Sequence, residues 1–193
     1  MNFKRRLLLH ICCAPDATVP WPALASEGFE VRGFFYGSNI HPWCELQKRR
    51  DAVMKLSSLL EMEAEIAPYS PSEWFSAMDG LYDEREGGAR CEACFALQLE
   101  SAARYAAMDN FGYVCTTLSI SPHKDPGLIN HLGREKAEAV GVGWIDRIWR
   151  KNDGFKLSAA MSRKKGLYRQ NYCGCAYSTK CALEGGGIYE RSA

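Results

Sequence analysis

No segment of this 193-residue chain approaches the roughly 18 consecutive apolar residues of a membrane span. Its start, MNFKRRLLLHICC, has a basic flank and an apolar run. That run is short and lacks a small-residue cleavage site, so a secretory leader is not expected. Net charge is nearly absent, at +1, which excludes a molecule dominated by one sign of field. Internal repeats and low-complexity linkers are also missing, which excludes solenoid and linker-rich architectures. The expected location is the cytoplasm. Thiols stay reduced there, and this matters because the chain has nine cysteines. An odd number also suits a complete disulfide framework poorly.

Length and an apolar fraction of 47% suit one domain, residues 1–193, with a real core. Charge is unevenly spread. Glu61 to Glu86 holds eight acidic residues against Arg85, and Arg147 to Arg169 holds eight basic ones against Asp153. The basic run permits a polyanionic partner, and a solvated helix face is the plainer reading of both runs.

Strand-length apolar runs occur at RRLLLHICC, at 29–37, at EAEIAPY, at YVCTTLSI and at VGWIDRIW. Between them, helical spacing runs through ELQKRRDAVMKLSSLLEM, PSEWFSAMDGLY, residues 93–108 and GLINHLGREKAEAVG. Residues 151–169 are basic and partly helical around LSAAMSRKK, and the tail EGGGIYERSA is expected to fray. Strands alternating with helices predict an α/β fold with a mainly parallel sheet, whose ligands bind beyond the carboxyl ends of the strands. CCAPD, SNIHPWC and TLSISPHKD all follow strands and so fall on that edge.

Six cysteines form three close pairs: Cys12-Cys13, Cys91 and Cys94, and Cys173 and Cys175. Cys91 and Cys94 lie at a helix start, at i and i+3, where exposed N–H groups favour thiolates. Cys173 and Cys175 project to one side of an extended segment, and Gly174 permits a close bend. Cys12 and Cys13 are adjacent, with diverging side chains expected. Such a pair suits two neighbouring metal centres better than one, with a strained vicinal disulfide as the alternative. Asp16 can swing back in a turn to add a carboxylate. One structural zinc or one iron–sulfur cluster takes four ligands, and these seven exceed it.

Among the other candidates, Cys115 reads as core, Cys44 as an outside candidate on the active edge, and Cys181 as an unlikely ligand. His123 in SPHKD is the leading polar candidate. His10 reads as a hydrogen-bonded core residue, His41 as a pocket liner and His131 as solvated.

In this order, HICCAPD, RCEACFALQLE, TTLSISPHKD and GLYRQNYCGC resemble the cobalamin-independent epoxyqueuosine reductases, QueH, over roughly residues 5–178. Where related ATP-using enzymes of the HUP or PP-loop type carry a Gly-rich phosphate loop, this chain has CCAPD. The resemblance implies a Rossmann-like sheet flanked by helices, with a cysteine-bearing 151–193 segment on the active edge. It implies reduction of the epoxide of epoxyqueuosine at the tRNA wobble position to queuosine, with loss of water. It implies a [4Fe–4S] cluster beside a mononuclear metal, iron in this family, held among Cys12, Cys13, Asp16, Cys91, Cys94, Cys173 and Cys175. The first expectation for the cluster is Cys91 and Cys94 with one of Cys12 and Cys13. Cys12, Cys13 and Asp16 are expected at the reacting centre, with His123 or a water as proton donor. Expected partners are an anticodon stem-loop, met by the 147–169 basic run and by Trp43, Tyr168 and Tyr172, and an unidentified electron donor. The rival readings are a zinc-binding scaffold, a thiol–disulfide oxidoreductase using Cys91 and Cys94, and an ATP-dependent tRNA-modifying enzyme, against which the missing phosphate loop counts.

Overall fold

A computed structural model describes residues 5–178, so Cys181 and the tail EGGGIYERSA lie outside the described residues. Five parallel strands form one sheet in the order β3-β2-β1-β4-β5. They are β1 (Arg6–Ile11), β2 (Glu30–Phe35), β3 (Ala64–Ile66), β4 (Tyr113–Thr116) and β5 (Gly143–Trp144). β1 is central because Leu7, Leu8, Leu9 and Ile11 are all fully buried, so both of its faces are covered.

On one face, Leu7, Leu9, Ile11, Val31 and Phe35 pack against Trp21 and Leu24 of α2 (Pro20–Ser26) and Leu46, Val53 and Leu56 of α3 (Trp43–Leu60). On the other, Leu8, Phe34 and Val114 meet Trp74 of α4 (Pro71–Ala77) and Ala102 and Ala106 of α5 (Ala89–Met108). α6 (Pro126–Glu138) packs beside α5 through Ile129 and Leu132. No described helix is long and apolar enough to cross a membrane.

Four elements differ from the sequence expectation, the first being α2, which the sequence reading leaves unassigned. A four-residue helix, α1 (Ala14–Ala17), starts directly after Cys13, because Pro15 fits the first helical turn, where its missing N–H costs nothing. The fourth strand stops at Thr116 and passes into a 3-10 turn, Leu118–Ile120. The fifth strand stops at Trp144 rather than running to Trp149. Beyond Ile145, whose N–H still bonds Val114, the chain leaves the sheet, and the Arg147 N–H and Trp149 indole instead bond Asn130 and the Thr116 carbonyl.

α6 and β5 come together at a glycine. A Cβ on Gly133 would lie 2.2–2.5 Å from the Trp144 ring, which is itself held by an indole bond to Asn130 at 3.2 Å. Gly133→Ala therefore destabilises the protein by about 1–3 kcal/mol, the usual cost of overpacking. This outweighs the ~1 kcal/mol gained in helix propensity. Thermal unfolding that shows a raised midpoint would contradict that packing.

Candidate metal centre

The strand order reverses direction between β1 and β4, and the crevice at such a switch point is where open parallel sheets bind ligands. Cys12 and Cys13 leave β1 there. The turn of the chain into α1 at Cys13 corrects the expectation of diverging sulfurs. The ligand atoms of Cys12, Cys13 and Asp16 all lie within 4.8 Å of one another. Cys12 Sγ is 3.3 Å from Asp16 Oδ2 and 3.3 Å from the hydroxyl of Thr117, which follows β4 and also accepts the Cys12 N–H at 3.2 Å.

The second pair sits on the first turns of α5. Cys91 Sγ accepts the Gly87 N–H at 3.2 Å. Cys94 Sγ accepts the Trp74 indole N–H at 3.2 Å and the Gln98 amide at 3.1 Å. Cys175 Sγ accepts the Ser178 N–H at 3.3 Å. Cys94, Cys173 and Cys175 share one apolar cluster, and Cys12 and Cys91 flank a second, so the three pairs gather on one edge of the sheet. All eight described cysteines are free thiols.

The thiols perturb one another. The Cys13 thiol bonded to Cys12 pulls the Cys12 pKa down, and the same bond drives Cys13 well up. The Cys173 thiol in turn holds Cys175 down at about 5 and is itself driven up. Burial raises Cys91, and raises Cys94 to about 11. Metal binding would displace the remaining thiol protons. The donor set fits iron–sulfur chemistry: soft sulfurs, one carboxylate, and N–H groups aimed at sulfur, the outer-shell bonds that tune metal–thiolate centres.

The third pair is held by α3. Arg49 donates to Glu45 at 2.7 Å, to the Cys173 carbonyl at 2.7 Å and to the Tyr172 carbonyl at 3.3 Å. A Cβ on Gly174, at φ +97°, would meet the guanidinium at 2.5–2.7 Å. Gly174 thus serves the approach of Arg49 as well as the bend. The Arg49–Glu45 side chains are only 3% and 5% exposed. Arg49→Met leaves Glu45 buried without its cation and costs about 3–5 kcal/mol of stability. Urea unfolding of the metal-free protein checks this, and an unchanged midpoint would contradict it.

Other candidates fall as follows. His10 is fully buried, bonds Thr116 Oγ1 at 2.9 Å, and is pushed down to about 3, first by burial and then by the Lys124 charge. Cys115 is core, and His131 is exposed. Cys44 is exposed on the first turn of α3. His41 is half-buried and stacks on Trp74 and Phe75, with its pKa lowered by burial. His123 is exposed. Tyr168 donates to Glu45 at 2.7 Å and Tyr172 lies under Arg49, both packing roles, whereas Trp43 is 49% exposed. In the basic run, Arg147 pairs with Glu27, Lys156 with Asp153, and Arg150 with loop carbonyls. Lys151, Arg163, Lys164 and Arg169 remain exposed.

Sequence reasoning missed Thr117, Lys124, Arg49 and Gln170. The Gln170 amide lies beside the Cys13 thiol, and its Oε1 is buried without a partner. Thr117 and Lys124 lie within TTLSISPHKD and Gln170 within GLYRQNYCGC, so their motifs were visible while their contacts were not.

The fold and site define a parallel, PP-loop-like α/β protein whose switch-point crevice is lined by thiols in place of a phosphate loop. The family profile "Epoxyqueuosine reductase QueH" matches residues 7–181. The chain is 36% identical over 178 residues to the epoxyqueuosine reductase QueH of Thermotoga maritima, covering 89% of each. It is 35% identical to that of Histophilus somni, covering 91% of this chain and 72% of the other. The chain belongs to the epoxyqueuosine reductase QueH family of oxidoreductases. Among solved structures, the U34-tRNA thiolase NcsA from Methanococcus maripaludis with its [4Fe-4S] cluster superposes with a TM-score of 0.57 at 11% identity. That match covers 91% of this chain and 61% of the thiolase, and it is a likeness of fold.

Proposed function

We propose that the protein removes the epoxide oxygen of epoxyqueuosine at the tRNA wobble position, giving queuosine and water. The observation that carries this reading is the convergence of Cys12, Cys13 and Asp16 within 4.8 Å at the switch point, beside four further cysteines. Seven donors divide naturally into three and four. In this reading Cys91, Cys94, Cys173 and Cys175 hold a [4Fe–4S] cluster. Cys12, Cys13 and Asp16 hold a mononuclear iron, whose three protein ligands leave coordination open. This division departs from the first expectation, which lent the cluster one of Cys12 and Cys13, because those two sulfurs turn toward Asp16. When bound, these groups supply electron transfer and Lewis acidity.

The chain's own residues position and insulate. Thr117 fixes Cys12 through its backbone and its sulfur. Trp74 and Gln98 cover Cys94. Gln170 Oε1, buried beside Cys13 without a donor, is suited to accept a hydroxyl of the substrate. Lys151, Arg163, Lys164 and Arg169 meet anticodon-stem phosphates, and Trp43 stacks on an unpaired base. The described residues act as one unit, with residues 151–178 closing the active edge. The electrons come from a donor outside this chain, and the setting is the cytoplasm.

Anaerobic purification tests the reading. The expected product is brown, with iron and acid-labile sulfide. A zinc-only protein that stays so after iron–sulfur reconstitution would refute it.

A further inference from the structure

The segment that carries Cys173 and Cys175 reaches the active edge along α3. Helix α7 (Gly154–Lys164) is closed by Gly166, whose φ of +58° suits the left-handed turn. There the Gly166 N–H bonds the Arg163 carbonyl and the Leu167 N–H bonds that of Ser162, both at 3.0 Å. The chain then lies against α3 at four successive points. Lys55 donates to the Gly166 carbonyl at 2.9 Å. Leu167 is buried in one cluster with Val53 and Leu56, and Tyr168 donates to Glu45. Arg49 donates to the carbonyls of Tyr172 and Cys173. The Lys48 ammonium sits 5.8 Å from the centre of the Tyr168 ring. Seven positions separate Lys48 from Lys55, so both lie on one face of α3, about 10 Å apart along its axis.

Both walls of this seam are basic. Residues 154–178 contain five basic side chains, Lys156, Arg163, Lys164, Lys165 and Arg169, and no acidic one. α3 adds Lys48, Arg50 and Lys55. Of its two acids, Glu45 is buried against Arg49 and Asp51 pairs with Arg50. Lys48, Lys55, Arg163, Lys164 and Arg169 are all exposed. At the upper end of the seam, exposed Trp43 opens α3 beside the active edge, where the His41 N–H bonds the Gly174 carbonyl at 2.8 Å. The acidic run lies elsewhere. Glu73 on α4 and Asp79, Asp83, Glu84 and Glu86 in the loop that follows are exposed, and α4 packs on the opposite face of the sheet from α3. Charge is thus sorted by face, although the net charge is only +1.

We infer that the seam between α3 and residues 163–169 is the docking surface for the anticodon stem of the tRNA, with Lys48 and Lys55 contacting its phosphates. This rests on the proposed function and extends it, because the 147–169 basic run supplies only one wall of the track and α3 supplies the other. A polyanionic backbone is drawn to a cationic strip and repelled by an acidic face, so the sorted charge selects the side on which the RNA lies. The strip ends at the third cysteine pair, and a stem held along it delivers its loop to the thiolate edge. Lys55 spends one of its three N–H donors on Gly166 and keeps two for phosphate. The contacts between α3 and residues 166–173 hold the two walls in fixed register, so the lysines are presented on a rigid surface.

The test is equilibrium binding of epoxyqueuosine-containing tRNA to reconstituted holoenzyme over a range of salt, followed by steady-state turnover. Lys48→Gln and Lys55→Gln are each expected to weaken binding roughly threefold to tenfold at low salt. Each also lowers the slope of log affinity against log salt by about one. At saturating tRNA kcat stays within about twofold, because neither side chain belongs to the metal site. Lys48→Arg and Lys55→Arg keep both the affinity and the slope. Arg104→Gln, which removes one exposed charge from α5 on the other face of the sheet, changes neither. Wild-type affinity and slope in both glutamine variants overturn the inference, as does an equal loss in Arg104→Gln. Should Lys55→Gln loosen the seam and fail to fold, Lys48→Gln decides by the same two numbers. Capture by anionic lipid vesicles that the glutamine variants lose, with tRNA affinity untouched, would give the seam to a membrane surface and overturn the inference. Wild-type protein that binds the tRNA through these lysines but leaves the epoxide intact would instead fault the proposed function, so the two failures are separable.

Discussion

Cys12→Ser is expected to abolish turnover while leaving most of the colour. Cys12 sits at the switch point within 4.8 Å of both Cys13 and Asp16. Serine keeps the shape but replaces a low-pKa thiol with a hydroxyl that does not ionise near neutral pH. On the division of ligands proposed above, the mononuclear site then loses a ligand, so iron falls by about one atom per chain. Acid-labile sulfide is unchanged, because the other four cysteines are intact. The loss of rate exceeds the 10–100-fold that removal of an outer-shell partner typically costs. Metal analysis and single-turnover assays on one preparation check both parts. Full activity, or loss of sulfide together with the iron, would break the division of ligands proposed above.

Cys94→Ser is expected to do the opposite to the metal content. Cys94 is buried on α5, with two side-chain N–H groups aimed at its sulfur. Those donors leave no alternative ligand at that position. Cys94 is one of the four cluster ligands proposed above, so with it replaced sulfide falls from about four per chain toward zero and the visible absorbance goes with it. Fold stability of the metal-free variant changes little, because oxygen for sulfur is a small change in volume and both N–H groups keep an acceptor. A Cys94→Ser protein that remains brown after desalting would remove Cys94 from the cluster ligands.

Much of this arrangement is legible in the residues themselves. RRLLLHICC reads as a strand because it is a short continuous apolar run, and the structure makes it the central, fully covered one. The alternation of strands and helices is enough to put CCAPD and TLSISPHKD on one edge. What is not legible comes from tertiary geometry. The sulfurs of Cys12 and Cys13 converge because the chain passes from strand to helix between them, and Pro15 in the first turn of that helix is its local cue. Arg49 and Cys173 lie 124 residues apart, and no local pattern announces a guanidinium bonded to that carbonyl. His123 and Lys124 are adjacent and both polar, and only the loop conformation set by Arg150 and Asp125 decides which one turns inward. The fifth strand is short because Asn130 and Ser119 bond the backbone that would have continued it.

The central claim is that this thiolate edge removes an oxygen atom from a modified base in tRNA. The most direct test is to incubate anaerobically reconstituted protein with epoxyqueuosine-containing tRNA and a low-potential reductant, digest the tRNA, and weigh the nucleoside. The predicted result is a nucleoside lighter by one oxygen atom, formed only when iron, sulfide and reductant are all present. An unchanged nucleoside with fully loaded protein, or the same conversion by metal-free protein, would contradict it.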